Sequence, residues 1–553
     1  MSTSASSLDR NYHQCESLPL KFNSFLDLLK NVIKGPRHTY EIFVAPDQRL
    51  HNIEFVQQVI ALAEALQTQW QLQKGDKVAL MFWNQPEFFV SFFALRLIGA
   101  VPVPINILMS PDDMAYVLTH ADVKGILATE ALANSLLKHH QTSLESLPFA
   151  AAIANAKEPM APYSFEALIE AYAPSLDEIE TRLERFEANP RDELAFLIYT
   201  SGTTGVPKGV MLSEHNILAN LTGFQAYVNV RPDAERFLMG LPAFHCYGLI
   251  CALFAFSERA TILCVPRFNP KQILQFLETE AVTFLPLVPT MYTLVLQAAK
   301  HKIASSNGEK PFEHLHTCIS GGAALSDTLL KAIESTLGVT VLEGYGLTET
   351  SPVIAVNSAE RGAVAGAVGK PLPNVALRLV NHENGELIPV EMGRASAEGE
   401  IQVWGDSIMQ GYYKNTEETE KVLSAEGWFK TGDLGYIDES GLLRISGGRL
   451  KDLIIRAGEN IAPLPIERIL LQDPRVAHVA VLPLKDERLG EAICACLDLN
   501  PDAKNSDTKV LIQELSALVR EQLGASFIPD AYRFFDELPK NATGKIAKKL
   551  IQL

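Results

Sequence analysis

Cysteine is scarce: 7 in 553 residues, with no CxxC pair. That pattern argues against a disulfide framework. Cys494 and Cys496 share one face of an expected strand, a poor arrangement for a bridge. Reduced thiols in a cytosolic compartment fit best. Positive charge is also in deficit, with 48 Lys and Arg against 65 Asp and Glu and a net charge of −17. This balance argues against non-specific binding to nucleic acid or to an anionic membrane surface. An anionic substrate must then be held by local cations and dipoles. No uninterrupted apolar run spans a bilayer. The most membrane-like stretch, Phe88 to Met109, is broken by Arg96, Pro102, Pro104 and Asn106 and reads as a helix followed by a strand. The N-terminal MSTSASSLDRNYHQ lacks the apolar core of a secretory signal. There is no internal repeat.

What is present begins with length and apolar content. A chain of this size exceeds one core, and 47% of its residues are hydrophobic, so two or more domains are expected. From about residue 50 strands and helices alternate: helix 54–71, strand 77–82, helix 86–98, strand 100–105, helix 111–119, strand 125–128. A second such unit has strands at 236–241, 260–265, 283–287, 316–320 and 340–343. Alternation of this kind implies α/β sheets. The acidic stretch 155–192 reads as a solvated helix and linker. Strands at 376–380 and 400–403 suggest a small antiparallel unit. After Gly447-Gly448-Arg449 comes a compact α+β module of about the size of an independent domain, with strands at 454–456, 476–483 and 494–497 and helices at 465–471 and 508–523.

The chemistry concentrates in LIYTSGTTGVPKGVM, residues 197–211. An apolar strand runs into small and hydroxyl residues: Thr200, Ser201, Gly202, Thr203, Thr204, Gly205. Glycines let the backbone approach a ligand, successive amides form an anion nest, and Lys208 adds a point charge suited to phosphate. The spacing is not that of a Walker A loop, GxxxxGK[ST]. An arbitrary loop of this composition could be a polar surface turn; the full string suits a polyphosphate. A second string, GYGLTETSP at 344–352, follows a strand, a usual place for a site in α/β sheets. Tyr345 offers a flat face to a nucleobase, Thr348 a hydroxyl to phosphate, and Glu349 a hard oxygen to Mg²⁺.

YTSGTTGVPKG resembles the phosphate-loop signature of the adenylate-forming enzymes: acyl-CoA synthetases, luciferase-like enzymes and peptide-synthetase adenylation domains. The likeness runs from about residue 50 to the C-terminus. It implies a large α/β N-terminal domain, 1–448, of two flanked β-sheets plus a small β-barrel-like unit. A small mobile α+β C-terminal domain, 449–553, follows. It implies ATP, Mg²⁺ and coenzyme A, or carrier-protein pantetheine, as cofactors and co-substrates. Lys545, in LPKNATGKI, matches the lysine that enters the active site for the first half-reaction. Thr348, Glu349 and Lys208 complete the catalytic set, with Glu349 as metal ligand. Thr200 to Gly205, Gly321, Gly322 and Tyr345 fall where ATP or AMP binds. Asp433, in a Gly-flanked turn, and Arg449 match the ribose clamp. His245 and Tyr247, in PAFHCYG, with Gly322 and Gly346, match the acyl pocket. His245 between aromatics reads as pocket lining rather than a general base. Lys451 matches the hinge, although ISGGR before it carries one glycine more than the family pattern. Gly458, Glu459 and Asn460 match the pantetheine channel. The stretch AFHCYGLICALF holds no acid to anchor a substrate ammonium, which argues against an amino acid. The first expectation is therefore a medium- or long-chain fatty-acid–CoA ligase. Carrier-protein transfer, an adenylate-only enzyme, an aromatic-acid ligase and a non-catalytic binding homologue remain as alternatives.

Overall fold

The computed structural model describes residues 15–34, 39–46, 48–139, 150–154, 163–200, 206–305, 312–449, 452–456, 459–486, 489–504, 507–540 and 546–553. Two α/β layers and two antiparallel sheets make the large N-terminal domain. The first layer is a five-stranded parallel sheet in the order Val101–Pro104, Lys77–Met81, Val123–Thr129, Ala150–Ala154, Tyr163–Ser164. The second has nine strands. Its centre, Thr340–Gly346, Thr317–Gly321, Phe284–Leu287, Arg236–Met239 and Thr261–Cys264, is parallel. Antiparallel strands close both edges, Val353–Val356 followed by Lys370–Pro371 on one side and Gln48–His51 on the other.

The expected membrane-like run divides as the sequence suggested, into helix Pro86–Leu97 and strand Val101–Pro104. Pro86 opens the helix where a missing N–H costs nothing. Its residues are buried all round apart from Glu87, as expected of a helix whose hydrophobicity shows no single face. It joins a cluster of rings: Phe43 stacks on Phe89 at 5.3 Å, Phe92 on Phe196 at 5.0 Å, and Phe93 meets Phe256 edge-on at 5.0 Å. Each fully buried Phe contributes about 1.5–3 kcal/mol of burial energy. Phe25 of the N-terminal helix Phe25–Ile33 and Phe196 of the phosphate-loop strand share this cluster, so the core fixes the start of the loop. Among the described residues no helix is long and apolar enough to cross a membrane, and every described cysteine is free.

Three sequence readings are corrected. Residues 155–192 are not wholly solvated: the short helices Phe165–Tyr172 and Ile179–Leu183 bury Phe165, Leu168, Ile179 and Leu183 in the main core. Acidic neighbours obscured their apolar spacing. Lys208 opens a strand, Lys208–Ser213, antiparallel to Leu194–Thr200, so the phosphate loop is a hairpin connection. Asp433 lies inside strand Phe429–Ile437 rather than in a turn. Gly432, with φ +70°, kinks the strand just before it, and that glycine produced the turn signal.

The small antiparallel region comprises the sheet Val375–Val380, Gly399–Gly405, Phe429–Ile437, Leu443–Arg449, and a three-stranded sheet in which Gly411–Tyr412 pairs with the loop hairpin. The C-terminal module has its own sheet: Glu459–Ile461, Ile454–Arg456, Gly490–Leu499 and Val476–Asp486, with Ala531–Phe535 parallel to Gly490–Leu499. Helices Pro463–Leu470 and Thr508–Leu523 close a core around Ile466, Leu470, Val481 and Leu515, separate from the large one. A separate core is what an independently folding unit needs.

Candidate active site

The loop hairpin is built from main-chain pairing. Thr200 stands opposite Lys208 in the last register pair, and residues 206–208 return from the loop. Ser201, Gly202, Thr203, Thr204 and Gly205 lie outside the described residues. Gly209 cannot carry a side chain without disturbance, because a Cβ would meet Leu197 at 3.0 Å and the Tyr199 ring at 3.1 Å. Tyr199 in turn shares a 2.7 Å hydrogen bond with His120 Nδ1. Burial, with the charge of Lys414, holds His120 below its ordinary pKa, although Asp122 pulls the other way.

Lys208 is paired with Glu418 of the short helix Thr416–Val422. The hydrogen bonds from Lys208 and Lys421 bring the Glu418 carboxyl down to about 2, against a small opposing effect of burial. The Lys208 ammonium also sits 5.3 Å from the centroid of the Tyr412 ring. A cavity of about 260 Å³ opens there, lined by His120, Pro207, Lys208, Tyr412 and Glu418 among others.

Tyr412 links the phosphate-loop lysine to the second motif. Its O–H donates to Glu349 Oε1 at 2.9 Å, and Met409 N donates to the Glu349 carbonyl at 2.9 Å. Strand Thr340–Gly346 continues through Tyr345, further than expected, and then turns through a single 3-10 turn, Thr348–Thr350. Gly346 is demanded by that turn, since a Cβ would lie 1.8 Å from the Pro352 carbonyl oxygen. Asn220 fastens the turn from below, donating to the carbonyls of Thr350 at 3.2 Å and Val353 at 2.7 Å. Thr348 is buried in the turn and Glu349 is half-buried.

The donor set suits a hard cation that arrives with phosphate. Glu349 Oε2 accepts no hydrogen bond among the described residues, and no group of three or more His, Cys, Asp or Glu there could hold a metal alone. Mg²⁺ characteristically takes one or two carboxylates plus substrate phosphates.

Tyr345 and Asp433 meet: the phenol donates to Asp433 Oδ2 at 2.7 Å. Asp433 also stands opposite Arg449 in the register of the two adjacent strands. The nucleobase and ribose candidates thus share one wall. On the opposite side His245 caps helix Cys246–Ser257, with its Nδ1 accepting Tyr247 N–H at 3.4 Å. That contact ties the ring to the first turn of the helix it caps. Tyr247 reaches across to donate to the Ile319 carbonyl at 3.2 Å. Its ring lies where a Cβ on Gly321 would come within 3.2 Å. Gly321 is buried, while Gly322, with φ +79°, is exposed at the strand end.

On the small module, Lys451, Gly458 and Lys545 lie outside the described residues. Glu459 and Asn460 form a strand with Ile455 and Arg456. The base of the loop that carries Lys545 is well defined. Lys540 bridges to Ile546, and Ala547 N donates to the Pro539 carbonyl at 2.7 Å. Asp498 accepts Leu538 N–H at 2.9 Å and pairs with His478 at 2.7 Å. Lys548 pairs with Glu467 at 2.7 Å. None of Tyr412, Glu418, Asp498 or Glu467 carried a sequence signal.

Arg468, on helix Pro463–Leu470, and Asp327 both act electrostatically on the buried Glu343 at the foot of the GYGLTET turn. Burial pushes the Glu343 carboxyl up to about 7, despite the opposing pull of Leu325 N–H and Arg468; Asp327 adds to the rise. Unfolded, this acid ionises near 4.5. Its contribution to stability is therefore complete below about pH 4.5 and is lost as pH rises through about 7. Thermal midpoints of wild type and Glu343→Gln, measured across this range, should show wild type losing ground to the variant as pH rises. Parallel curves would mean that Glu343 ionises normally.

The chain matches the family model described as AMP-binding enzyme over residues 32–413, and the AMP-binding enzyme C-terminal domain over residues 465–545. A long-chain-fatty-acid–CoA ligase of Bacillus subtilis is 32% identical, covering 96% of this chain and 94% of the relative. A 4-coumarate–CoA ligase-like protein of Oryza sativa is 31% identical, covering 87% and 84%. ATP-bound MatB from Rhodopseudomonas palustris superposes with a TM-score of 0.79 at 27% identity, covering 95% of this chain and 98% of that one. With its loop hairpin, its GYGLTET turn and its separate C-terminal module, the chain belongs to the AMP-binding enzyme family and is an AMP-forming acid–thiol ligase.

Proposed function

We propose that the enzyme activates a medium- or long-chain fatty acid as its acyl-adenylate, releases pyrophosphate and passes the acyl group to coenzyme A. What carries this reading is the convergence of Lys208 and Glu349 on Tyr412, beside the joined Tyr345 and Asp433. Tyr412 thus joins the groups proposed for phosphate and metal, and the Tyr345–Asp433 bond joins those proposed for base and ribose.

Carboxylate and ATP are both anions, and two unit charges about 4 Å apart repel by roughly 4 kcal/mol at an effective dielectric of 20. The residues from Thr200 to Gly205 and Lys208 hold the β- and γ-phosphates. Tyr345 stacks on adenine, and Asp433 with Arg449 holds the ribose. Glu349 would hold Mg²⁺, which would supply charge neutralisation for the triphosphate and polarisation of the phosphoryl group. Thr348 donates to phosphate. Lys545 reaches the carboxylate and the bridging oxygen as negative charge builds, the kind of aimed donor worth about 10²–10³-fold in rate. The carboxylate oxygen bonds to the α-phosphorus, and pyrophosphate leaves with the electrons of the broken P–O bond.

The thiol step needs a different neighbour, because Lys545 and a pantetheine arm would compete for one opening. Residues 449–553 turn about Lys451 against residues 1–448, and Gly458, Glu459 and Asn460 then line the thiol channel. Thiolate attack on the acyl carbon expels AMP.

Support for the fatty acid comes from the apolar helix Cys246–Ser257, buried along its length apart from Tyr247 and free of acidic residues, and from the full-length likeness to a fatty-acid ligase. A second reading, a short or aromatic acid, is favoured by Tyr247, whose phenol crosses from that helix to Ile319 and narrows the space beside Gly321. Acid-dependent pyrophosphate release over a panel of straight-chain, benzoic and cinnamic acids, with and without CoA, decides between them. Highest kcat/KM on the longer straight chains is expected. A maximum on aromatic acids would replace the first reading with the second, and no release with any acid would overturn both.

A further inference from the structure

Glu349 and Lys208 come from distant parts of the chain, yet one side chain touches both. Tyr412 is held tightly enough to do so. It stands opposite Val210 in the loop hairpin, Tyr413 N donates to the Gly209 carbonyl at 2.7 Å, and Tyr412 N donates to Thr419 Oγ1 at 2.9 Å. The residue is 8% exposed. Its position is therefore tied to the strand that starts at Lys208, and the neighbouring Met409 ties the same segment to the Glu349 main chain.

We propose that Tyr412 is a positioning residue for adenylation: its O–H fixes one oxygen of Glu349 so that the other is presented to the metal of the nucleotide. This rests on the metal and phosphate roles proposed above for Glu349 and Lys208. A glutamate has three rotatable bonds, and an unguided one must be ordered at each binding event. The phenol removes that freedom by satisfying Oε1 and leaving Oε2 open. The ring face beneath the Lys208 ammonium keeps the phosphate-binding cation in register with the metal-binding carboxylate. A tyrosine that merely filled space would not need its hydroxyl aimed at this carboxylate. Partners that orient a metal ligand from behind typically contribute 10–100-fold in metal affinity or activity.

Tyr412→Phe keeps the ring and removes the donor. The test is binding of Mn²⁺, followed by its paramagnetic signal, to full-length enzyme with a non-cleavable α,β-methylene analogue of ATP and no acid. Affinity for Mn²⁺ in Tyr412→Phe should fall about tenfold or more, as it should in Glu349→Gln. The thermal midpoint without ligand should stay at the wild-type value. Thioester formation from supplied acyl-adenylate, which involves no triphosphate, should keep its rate. Wild-type Mn²⁺ affinity in Tyr412→Phe alongside a loss in Glu349→Gln would overturn the positioning role and leave the function standing. No loss in Glu349→Gln would overturn the metal assignment and the inference with it. Loss of both half-reactions together in Tyr412→Phe would mark the tyrosine as structural and overturn the proposal.

Discussion

Replacing Lys545 by Ala should cut pyrophosphate release by about 10²–10³-fold or more, the cost of losing one donor aimed at developing charge. ATP binding should stay close to wild type, and supplied acyl-adenylate should still be converted to the thioester. The split follows from where the lysine is carried. Its loop springs from the Lys540–Ile546 bridge, whose flanks are anchored by Asp498 to Leu538 and by Glu467 to Lys548. Among the described residues the anchors bond within the small module and to neither the phosphate hairpin nor the GYGLTET turn. Removing the ammonium therefore leaves the large-domain site intact. Equal loss in both half-reactions would show that Lys545 supports the fold of the module rather than the first step.

Glu214→Ala should produce the largest loss of stability. Glu214 and Arg96 are 1% and 2% exposed, and Glu214 Oε1 receives Arg96 Nη2 at 2.7 Å and Nε at 3.1 Å. Its other oxygen accepts Phe25 N–H at 2.9 Å. The carboxylate thus ties the N-terminal helix, the aromatic helix and the helix after the phosphate hairpin together. Breaking such a pair from one side typically costs about 3–5 kcal/mol, because the remaining charge stays buried without its partner. The thermal midpoint should fall by several degrees. Adding Arg96→Met should recover part of the loss, since the stranded guanidinium is then gone. A double variant no more stable than Glu214→Ala would place the cost in the Phe25 contact instead.

The site divides sharply into what sequence could and could not disclose. Lys208, Glu349 and Tyr345 stand in short contiguous strings whose spacing is itself the chemical signal. The α/β alternation was equally plain, because buried strands flanked by turns leave a local pattern. Tyr412 and Glu418 were hidden for the opposite reason. In GYYKNTEET nothing local distinguishes a tyrosine that folds back on a hairpin two hundred residues earlier from one in an ordinary turn; that pairing is a tertiary fact. The strand Lys208–Ser213 escaped because a glycine beside the lysine reads as loop, and the same ambiguity put Asp433 in a turn. Arg468 and Glu343 read as routine helix and strand residues, because a charge acting across a long sequence separation leaves no local pattern.

The central claim is that a carboxylate oxygen attacks the α-phosphorus of ATP in this cleft. Turnover of an acid whose carboxyl oxygens are isotopically heavy, followed by the mass of the nucleotide released, tests it most directly. The account predicts AMP carrying one heavy oxygen, with pyrophosphate unlabelled. Label in orthophosphate, with ADP as the nucleotide product, would contradict it.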